Sequence, residues 1–127
     1  MGRLLAPSDD RRGAPLVAVI SEGWWEREFE RRPGVIGRTV LLNAVPVTII
    51  GVSPPGFVGA NVGSPADITL AVAALPSVSP EAAPLLGPGN FWLRVLARPA
   101  GGMSVARTTT RLATVWPHMS EPLIAPH

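Results

Sequence analysis

The chain has 127 residues, which is enough for one domain or two small subdomains that share a core. All eleven basic residues are arginine and the net charge is only +2. These arginines are scattered or interleaved with acids and form no basic stripe, which argues against nucleic-acid binding. The absence of cysteine excludes disulfides and thiolate metal sites, and no apolar run is long enough for a membrane-spanning helix.

The first elements follow a polar lead-in segment, residues 1–15, which is punctuated by proline and glycine. Residues 17–20, Val-Ala-Val-Ile, form a continuous apolar run that predicts a buried strand. Ser21 is a suitable N-cap for a helix after this strand, with Glu22 in the first turn.

The predicted helix carries its aromatic residues on one face. Trp25 and Phe29 are spaced i, i+4, so both rings point to the same side. Of the adjacent Trp24 and Trp25, we expect one to be buried and the other partly exposed. Glu28 and Arg32 are spaced for an ion pair on the helix surface, and the Pro33-Gly34 pair predicts the helix end.

A β-hairpin is predicted over residues 38–52, with its turn at 43–46. We expect its apolar face to pack against Trp25 and Phe29. Because Asn43 is followed by Ala44 rather than glycine, a two-residue type I′ turn is disfavoured. Residues 67–72 are a weaker strand candidate.

The second half of the chain is rich in proline. Four prolines between residues 75 and 90 favour an extended, weakly packed linker. Residues 91–98 are then expected to form a strand. A second helix is predicted from an N-cap at Ser104 to an end at Pro117, with a buried stripe at helical spacing formed by Val105, Thr109, Leu112 and Trp116.

Residues able to carry catalysis or bind metal are few. His118 and His127 are the only histidines and stand beside or within a patternless tail. The Asp9-Asp10 pair lies in a turn-forming context, which favours a solvated loop over a catalytic carboxylate pair. The sequence therefore predicts no catalytic residue, no metal site and no cofactor.

Several short motifs together resemble the MacB-like periplasmic core domain of ABC-transporter permeases. Ile20, Ser21, Trp25 and Phe29 match its first unit. Pro33 and residues 35–39, Val-Ile-Gly-Arg-Thr, match its second. Gly51-Val52 and Pro54-Pro55-Gly56-Phe57 match the end of its hairpin. Weaker similarity at Gly2-Arg3 and over residues 92–104 extends the resemblance to roughly residues 2–116.

The resemblance implies an α+β fold with two subdomains. A short strand, a helix and a β-hairpin would form an inserted, strand-rich subdomain over residues 16–72, after the lead-in segment 1–15. A Pro-rich linker or loop would follow at 73–90. A strand and a helix at 91–117 would return to a second, incomplete subdomain, and 118–127 would be a tail.

The function implied by the resemblance is noncatalytic. The chain would be an extracytoplasmic domain on the periplasmic side of the inner membrane, as a fragment of a larger permease involved in transport such as efflux. Its partners would be the rest of the permease, a separate ATPase subunit or domain and other periplasmic proteins. An unpaired strand edge would also favour self-association, and any export signal would lie upstream.

Two alternatives stay open from the sequence: an unrelated small α+β ligand-binding domain or enzyme, and a nonfunctional permease gene fragment. If the chain acts by contact, the candidate residues are Trp24, Phe57 and Asn61. These belong to an aromatic helix shoulder and to the loop that follows the hairpin.

Overall fold

The computed structural model describes residues 1–57, 59, 63, 65–87 and 89–124, with side chains described as far as Ser120. The chain forms two compact units, Met1–Ala83 and Pro84–His127. The strands are β1 (Val17–Ile20), β2 (Thr39–Leu42), β3 (Val45–Val52) and β4 (Ile68–Leu70), and the α-helices are α1 (Glu22–Phe29), α2 (Leu75–Val78) and α3 (Val105–Ile124). In the described residues, 3-10 helices lie at Pro33–Val35, Val72–Ala74 and Pro80–Leu86.

The first unit contains a mixed sheet in the order β2-β3-β1-β4. The two central strands, β1 and β3, are parallel, and each edge strand is antiparallel to its neighbour. All four residues of β1 are buried, as a continuous apolar strand in the middle of a covered sheet requires. The α+β class and the predicted strand at 17–20 are therefore confirmed.

Helix α1 begins where the sequence predicts. The Ser21 hydroxyl accepts a 3.0 Å hydrogen bond from the Trp24 N–H and caps the helix. The helix ends at Phe29, and Glu30 takes a left-handed conformation at the C-cap. Arg32 therefore lies beyond the helix and pairs with Glu30 at 2.6 Å, so the predicted ion pair with Glu28 is wrong.

The aromatic face of α1 covers one end of the sheet. Trp24, Trp25 and Phe29 pack against a buried cluster formed by Ile20, Val35, Ile49 and Val52. The packing of Trp25 and Phe29 against the hairpin is thereby confirmed. The expected division into one buried and one exposed tryptophan is wrong, because both rings are half-buried on this cluster.

The Val-Ile-Gly-Arg motif is a turn that leads into a β-bulge. The Arg38 N–H donates to the Val35 carbonyl at 3.1 Å, and φ is −66° at Ile36 and +87° at Gly37, which is a type II turn. Opposite it, the Gly37 N–H donates to Ile49 O and the Ile49 N–H donates to Arg38 O, both at 2.8 Å. This two-against-one pattern with a left-handed glycine is a G1 bulge.

The hairpin turn differs from the expectation. Strands β2 and β3 are joined by two residues only, with Leu42 paired to Val45. Asn43 and Ala44 have φ of +50° and +65°, as a type I′ turn requires. The right-handed twist of the strands imposes this turn although Ala44 carries a Cβ, at a cost of about 1–2 kcal/mol.

Residues 72–86 form short helices rather than the expected extended linker. Val78 of α2 is buried with Ala18 and Val47 on the sheet, and its carbonyl accepts a 2.8 Å hydrogen bond from Asn43 Nδ2. Proline lies at the start of α2, where its missing N–H has no helical partner in any case. Pro76 and Pro80 therefore begin helical turns, whereas Pro84 lies inside the 3-10 helix Pro80–Leu86.

In the second unit, the prediction of a strand at 91–98 is wrong, because residues 89–100 contain neither helix nor strand. Two side chains at the start of this segment instead form hydrogen bonds to the preceding 3-10 helix, Pro80–Leu86. Trp92 Nε1 donates to Leu85 O at 2.7 Å, and Asn90 Nδ2 donates to Pro84 O at 2.9 Å. A strand needs a paired neighbour, and the described part of this unit contains none.

Helix α3 begins as predicted but continues past Pro117 to Ile124. The Ser104 hydroxyl accepts from the Arg107 N–H at 3.2 Å, in the manner of an N-cap. A proline inside a helix removes one backbone donor and favours a kink or an end. Because α3 continues through this position, the end expected at Pro117 is wrong. The predicted buried stripe is wrong, since Val105, Leu112 and Trp116 are all more than half exposed.

We predict that Gly37→Ala lowers the free energy of unfolding by about 1–2 kcal/mol, because alanine is strained at a φ of +87°. Gly34→Ala is the matched control. Gly34 has a φ of −75°, and no atom lies within 4 Å of a Cβ built at either position. Urea unfolding of both variants measures the difference, and equal stabilities would contradict the turn assignment.

Candidate functional site

The amino-terminal residues pair with β3 and thereby reach the end of the sheet. Gly2 and Gly51 form an antiparallel bridge, the Arg3 N–H donates to Ile50 O at 3.0 Å and the Val52 N–H donates to Met1 O at 2.9 Å. A Cβ at Gly51 would collide with the Arg3 carbonyl, and one at Gly2 would collide with Ile50 O. Glycine is required at both positions because the two backbones approach so closely.

A two-pronged ion pair closes the next loop. Arg3 donates from Nη1 and Nη2 to the two carboxylate oxygens of Asp9, at 2.6 and 2.9 Å, and the Ala6 N–H donates to Asp9 Oδ2 at 2.8 Å. These bonds, that from Arg3 above all, lower the pKa of Asp9 to about 2. The loop they close holds Leu4 and Leu5 beside the sheet.

A second turn follows β3 and presents Phe57. The Phe57 N–H donates to Pro54 O at 3.2 Å, and Gly56 has a φ of +72°. Proline followed by a left-handed glycine is typical of the two central positions of a type II turn. Ser53, just before this turn, is tied to β1 by a 2.8 Å bond from its N–H to Ile20 O. The Phe57 ring remains 62% exposed.

An apolar cavity of about 360 Å³ lies between these two turns and the sheet. Its apolar lining comes from the amino-terminal loop, β1 and the turn after β3: Leu4, Leu5, Val19, Ile20, Pro54 and Phe57. Three hydroxyl residues, Ser21, Ser53 and Thr69, also line it. Among the described residues, no charged side chain lines the cavity.

The three hydroxyl groups differ in how they are used. The Ser21 hydroxyl caps α1 and also bonds Asp67 Oδ1 at 3.2 Å, while Asp67 Oδ2 accepts from Arg27 Nη2 at 2.7 Å. Ser53 is only 9% exposed, and its hydroxyl has no hydrogen-bond partner among the described residues. Ser53 therefore offers an unused donor and acceptor to the cavity.

The predicted contact residues are not brought together. Phe57 lines the cavity. Trp24 does not; its ring packs edge-to-face on Phe29, with the centroids 5.4 Å apart. Asn61 lies outside the described residues. Sequence reasoning missed Leu4, Leu5 and Ser53, although the glycines at positions 2 and 51 could have indicated the close backbone approach that brings them in.

The polar groups considered for chemistry have structural partners. Asp9 binds Arg3, whereas Asp10 accepts a 2.7 Å hydrogen bond from the Ala73 N–H, so the two carboxylates serve separate contacts. Among the residues that the structure describes, no three His, Cys, Asp or Glu side chains are grouped to hold a metal ion. His118 lies in α3, and His127 lies outside the described part.

A comparison with protein-family models decides the family. The model of the MacB-like periplasmic core domain matches residues 1–115. The chain belongs to this family. No curated protein and no solved structure matches the chain significantly.

Membership in the MacB-like periplasmic core domain family confirms the sequence-based identification. It indicates a domain on the periplasmic side of an ABC-transporter permease, a class of protein that works with ATPase subunits. Domains of this kind are generally noncatalytic. Within the described residues, no helix has both the length and the apolar character needed to cross a membrane.

We predict that Asp9→Asn destabilises the domain at pH 7 and that this difference disappears toward pH 2. The folded-state pKa of Asp9, about 2, lies below its ordinary value of 3.8. The ion pair therefore stabilises the fold above pH 3.8, and this contribution is lost as the pH falls through 2. Urea unfolding at several pH values measures the difference in the free energy of unfolding between Asp9→Asn and the wild type. Glu28→Gln, which removes an exposed carboxylate of α1, is the control. A difference that stays constant with pH would refute the assignment.

Proposed function

We propose that this MacB-like periplasmic core domain is a noncatalytic extracytoplasmic module of an ABC-transporter permease, which relays conformational change and contacts envelope partners. The observation that carries the proposal is structural. The family's motif residues Gly37, Gly51 and Gly56 each set backbone geometry, while Phe57 is held exposed beyond a fixed turn. This arrangement supports action by contact.

The relay has a physical basis in the backbone pairing of residues 1–3. Met1 and Arg3 are bonded to Val52 and Ile50 in a central strand of the sheet. A displacement of residues 1–3 would therefore act on β3 through main-chain hydrogen bonds, which stretch little before they break. The mixed sheet would move as one body with the amino-terminal segment.

The contact surface is proposed at the turn that presents Phe57. An exposed aromatic ring beside a cavity is typical of residues that dominate binding energy when covered. Trp24 and Asn61 remain proposed contact residues as well. The proposed partners are the rest of the permease and other periplasmic proteins. The division of the domain into subdomains at 16–72 and 91–117 also remains a proposal.

A second copy of the chain is a further proposed partner. Strand β2 lies at one edge of the sheet, and its Leu41 side chain is 69% exposed. The outward N–H and C=O groups of an edge strand can pair with another strand. Self-association through β2 would leave the Phe57 turn free.

We predict that a photocrosslinking amino acid at position 57 forms adducts with a permease chain or a periplasmic protein in the cell envelope. The same group at position 41 is the matched control, because Leu41 is similarly exposed but lies at the edge of the sheet formed by β2. Mass spectrometry identifies the adducts.

Adducts confined to position 57 would support contact through this turn, and self-adducts at position 41 would report pairing of β2 edges. The proposed contact would be ruled out by equal adducts at both positions. It would also be ruled out if position 57 captured cytosolic proteins alone.

A further inference from the structure

The cavity beside Phe57 has the composition of a small-molecule site. Ligand pockets are typically about 300–1,000 Å³ in volume, largely apolar, with a few placed polar groups. This cavity has about 360 Å³, with aliphatic and aromatic side chains over most of its lining. Its size therefore suits a small ligand.

The charge of the cavity restricts the ligand. An ionised group moved into an apolar site without a partner loses its hydration at a large energetic cost. Among the described residues the lining has no charged side chain. The carboxylate that adjoins it through Ser21, that of Asp67, is already paired with Arg27 at 2.7 Å. An uncharged ligand is therefore favoured.

The hydroxyl of Ser53 supplies the polar contact. Ser53 is nine-tenths buried, and its N–H is bonded to Ile20, which fixes the residue at the wall of the cavity. Its hydroxyl has no partner in the described part of the chain, and since no side-chain oxygen there is both buried and unpaired, this hydroxyl must be accessible from the cavity. A ligand with one hydroxyl or carbonyl group would provide a partner.

We infer that the cavity between the amino-terminal loop and the Phe57 turn binds an uncharged amphiphile, with its apolar body against Leu4, Val19 and Phe57 and its polar group at Ser53. This inference concerns the interior of the cavity. It does not depend on whether a protein contacts the Phe57 ring, nor on whether the domain functions as part of a permease.

The test uses the full chain and a matched series of ligands: 4-phenylbutan-1-ol, butylbenzene, which lacks the hydroxyl, and 4-phenylbutanoate, which is charged. Each ligand competes with the fluorescent probe N-phenyl-1-naphthylamine for the cavity, and the loss of probe fluorescence measures its binding. Thr69→Trp fills the cavity from an exposed position on the edge strand β4. Leu41→Trp adds the same side chain on β2, away from the cavity.

The alcohol is expected to displace the probe from the wild type and from Leu41→Trp, whereas Thr69→Trp should lose this binding. The carboxylate is expected to bind at least about tenfold more weakly than the alcohol. Unchanged binding in Thr69→Trp, or a carboxylate that binds as tightly as the alcohol, would overturn the inference.

Ser53→Ala tests the polar contact separately. It should weaken binding of the alcohol by about fivefold, as expected for one hydrogen bond, and leave butylbenzene unchanged. Equal effects on both ligands would contradict the role of Ser53. A further ligand, 1-octanol, distinguishes two sources of the natural ligand. If 1-octanol binds more tightly than 4-phenylbutan-1-ol, the cavity prefers an alkyl chain of lipid type. If it binds more weakly, the cavity prefers aromatic small molecules.

Discussion

Hydrogen bonding along both edges of β3 is the interaction on which the first unit depends. On one edge β3 pairs in parallel with β1, and on the other it pairs with β2 and then with residues 1–3. The register with β1 shifts between Ala18 and Val19, so that Ile50 has no partner in β1. The carbonyl of Ile50 is thereby free to bond Arg3. One irregularity in β3 thus fixes the amino-terminal segment, the loop after it and one wall of the cavity.

The glycines among the residues that identify the family act through their backbones. Gly37 provides the left-handed residue of the bulge opposite Ile49, Gly51 permits the close approach of Arg3, and Gly56 turns the chain before Phe57. Side-chain chemistry is not what these positions supply. These glycines therefore account for the backbone of the fold, whereas the proposed ligand and partner contacts depend on side chains such as Phe57, Ser53 and Leu4.

Local patterns in the sequence were sufficient for β1, α1 and the hairpin, because apolar runs, a serine cap and i, i+4 aromatics act over a few residues. Effects that arise from tertiary structure were missed. The twist of the paired strands placed Ala44 in a left-handed conformation despite its Cβ. Proline residues around α2 began helical turns because Val78 could bury itself on the sheet.

The second unit and the cavity show the same limit. Residues 91–98 have the composition of a strand, but in the described part of their unit they have no strand to pair with. The stripe of α3 has helical spacing, yet Leu112 is exposed, since periodicity predicts a face and not what covers it. The cavity joins Leu4, Ser53 and Thr69, which are far apart in the sequence, and no local pattern connects them.

Native-state amide hydrogen exchange tests the central role of β3 most directly. The amides of Thr48, Ile49 and Val52 donate to Leu16, Arg38 and Met1 respectively, so they should exchange only when the whole unit unfolds. The Arg3 amide, bonded to Ile50, should show nearly the same opening free energy. If the Arg3 and β3 amides exchanged as fast as the Thr108 amide in the exposed helix α3, the account would be contradicted.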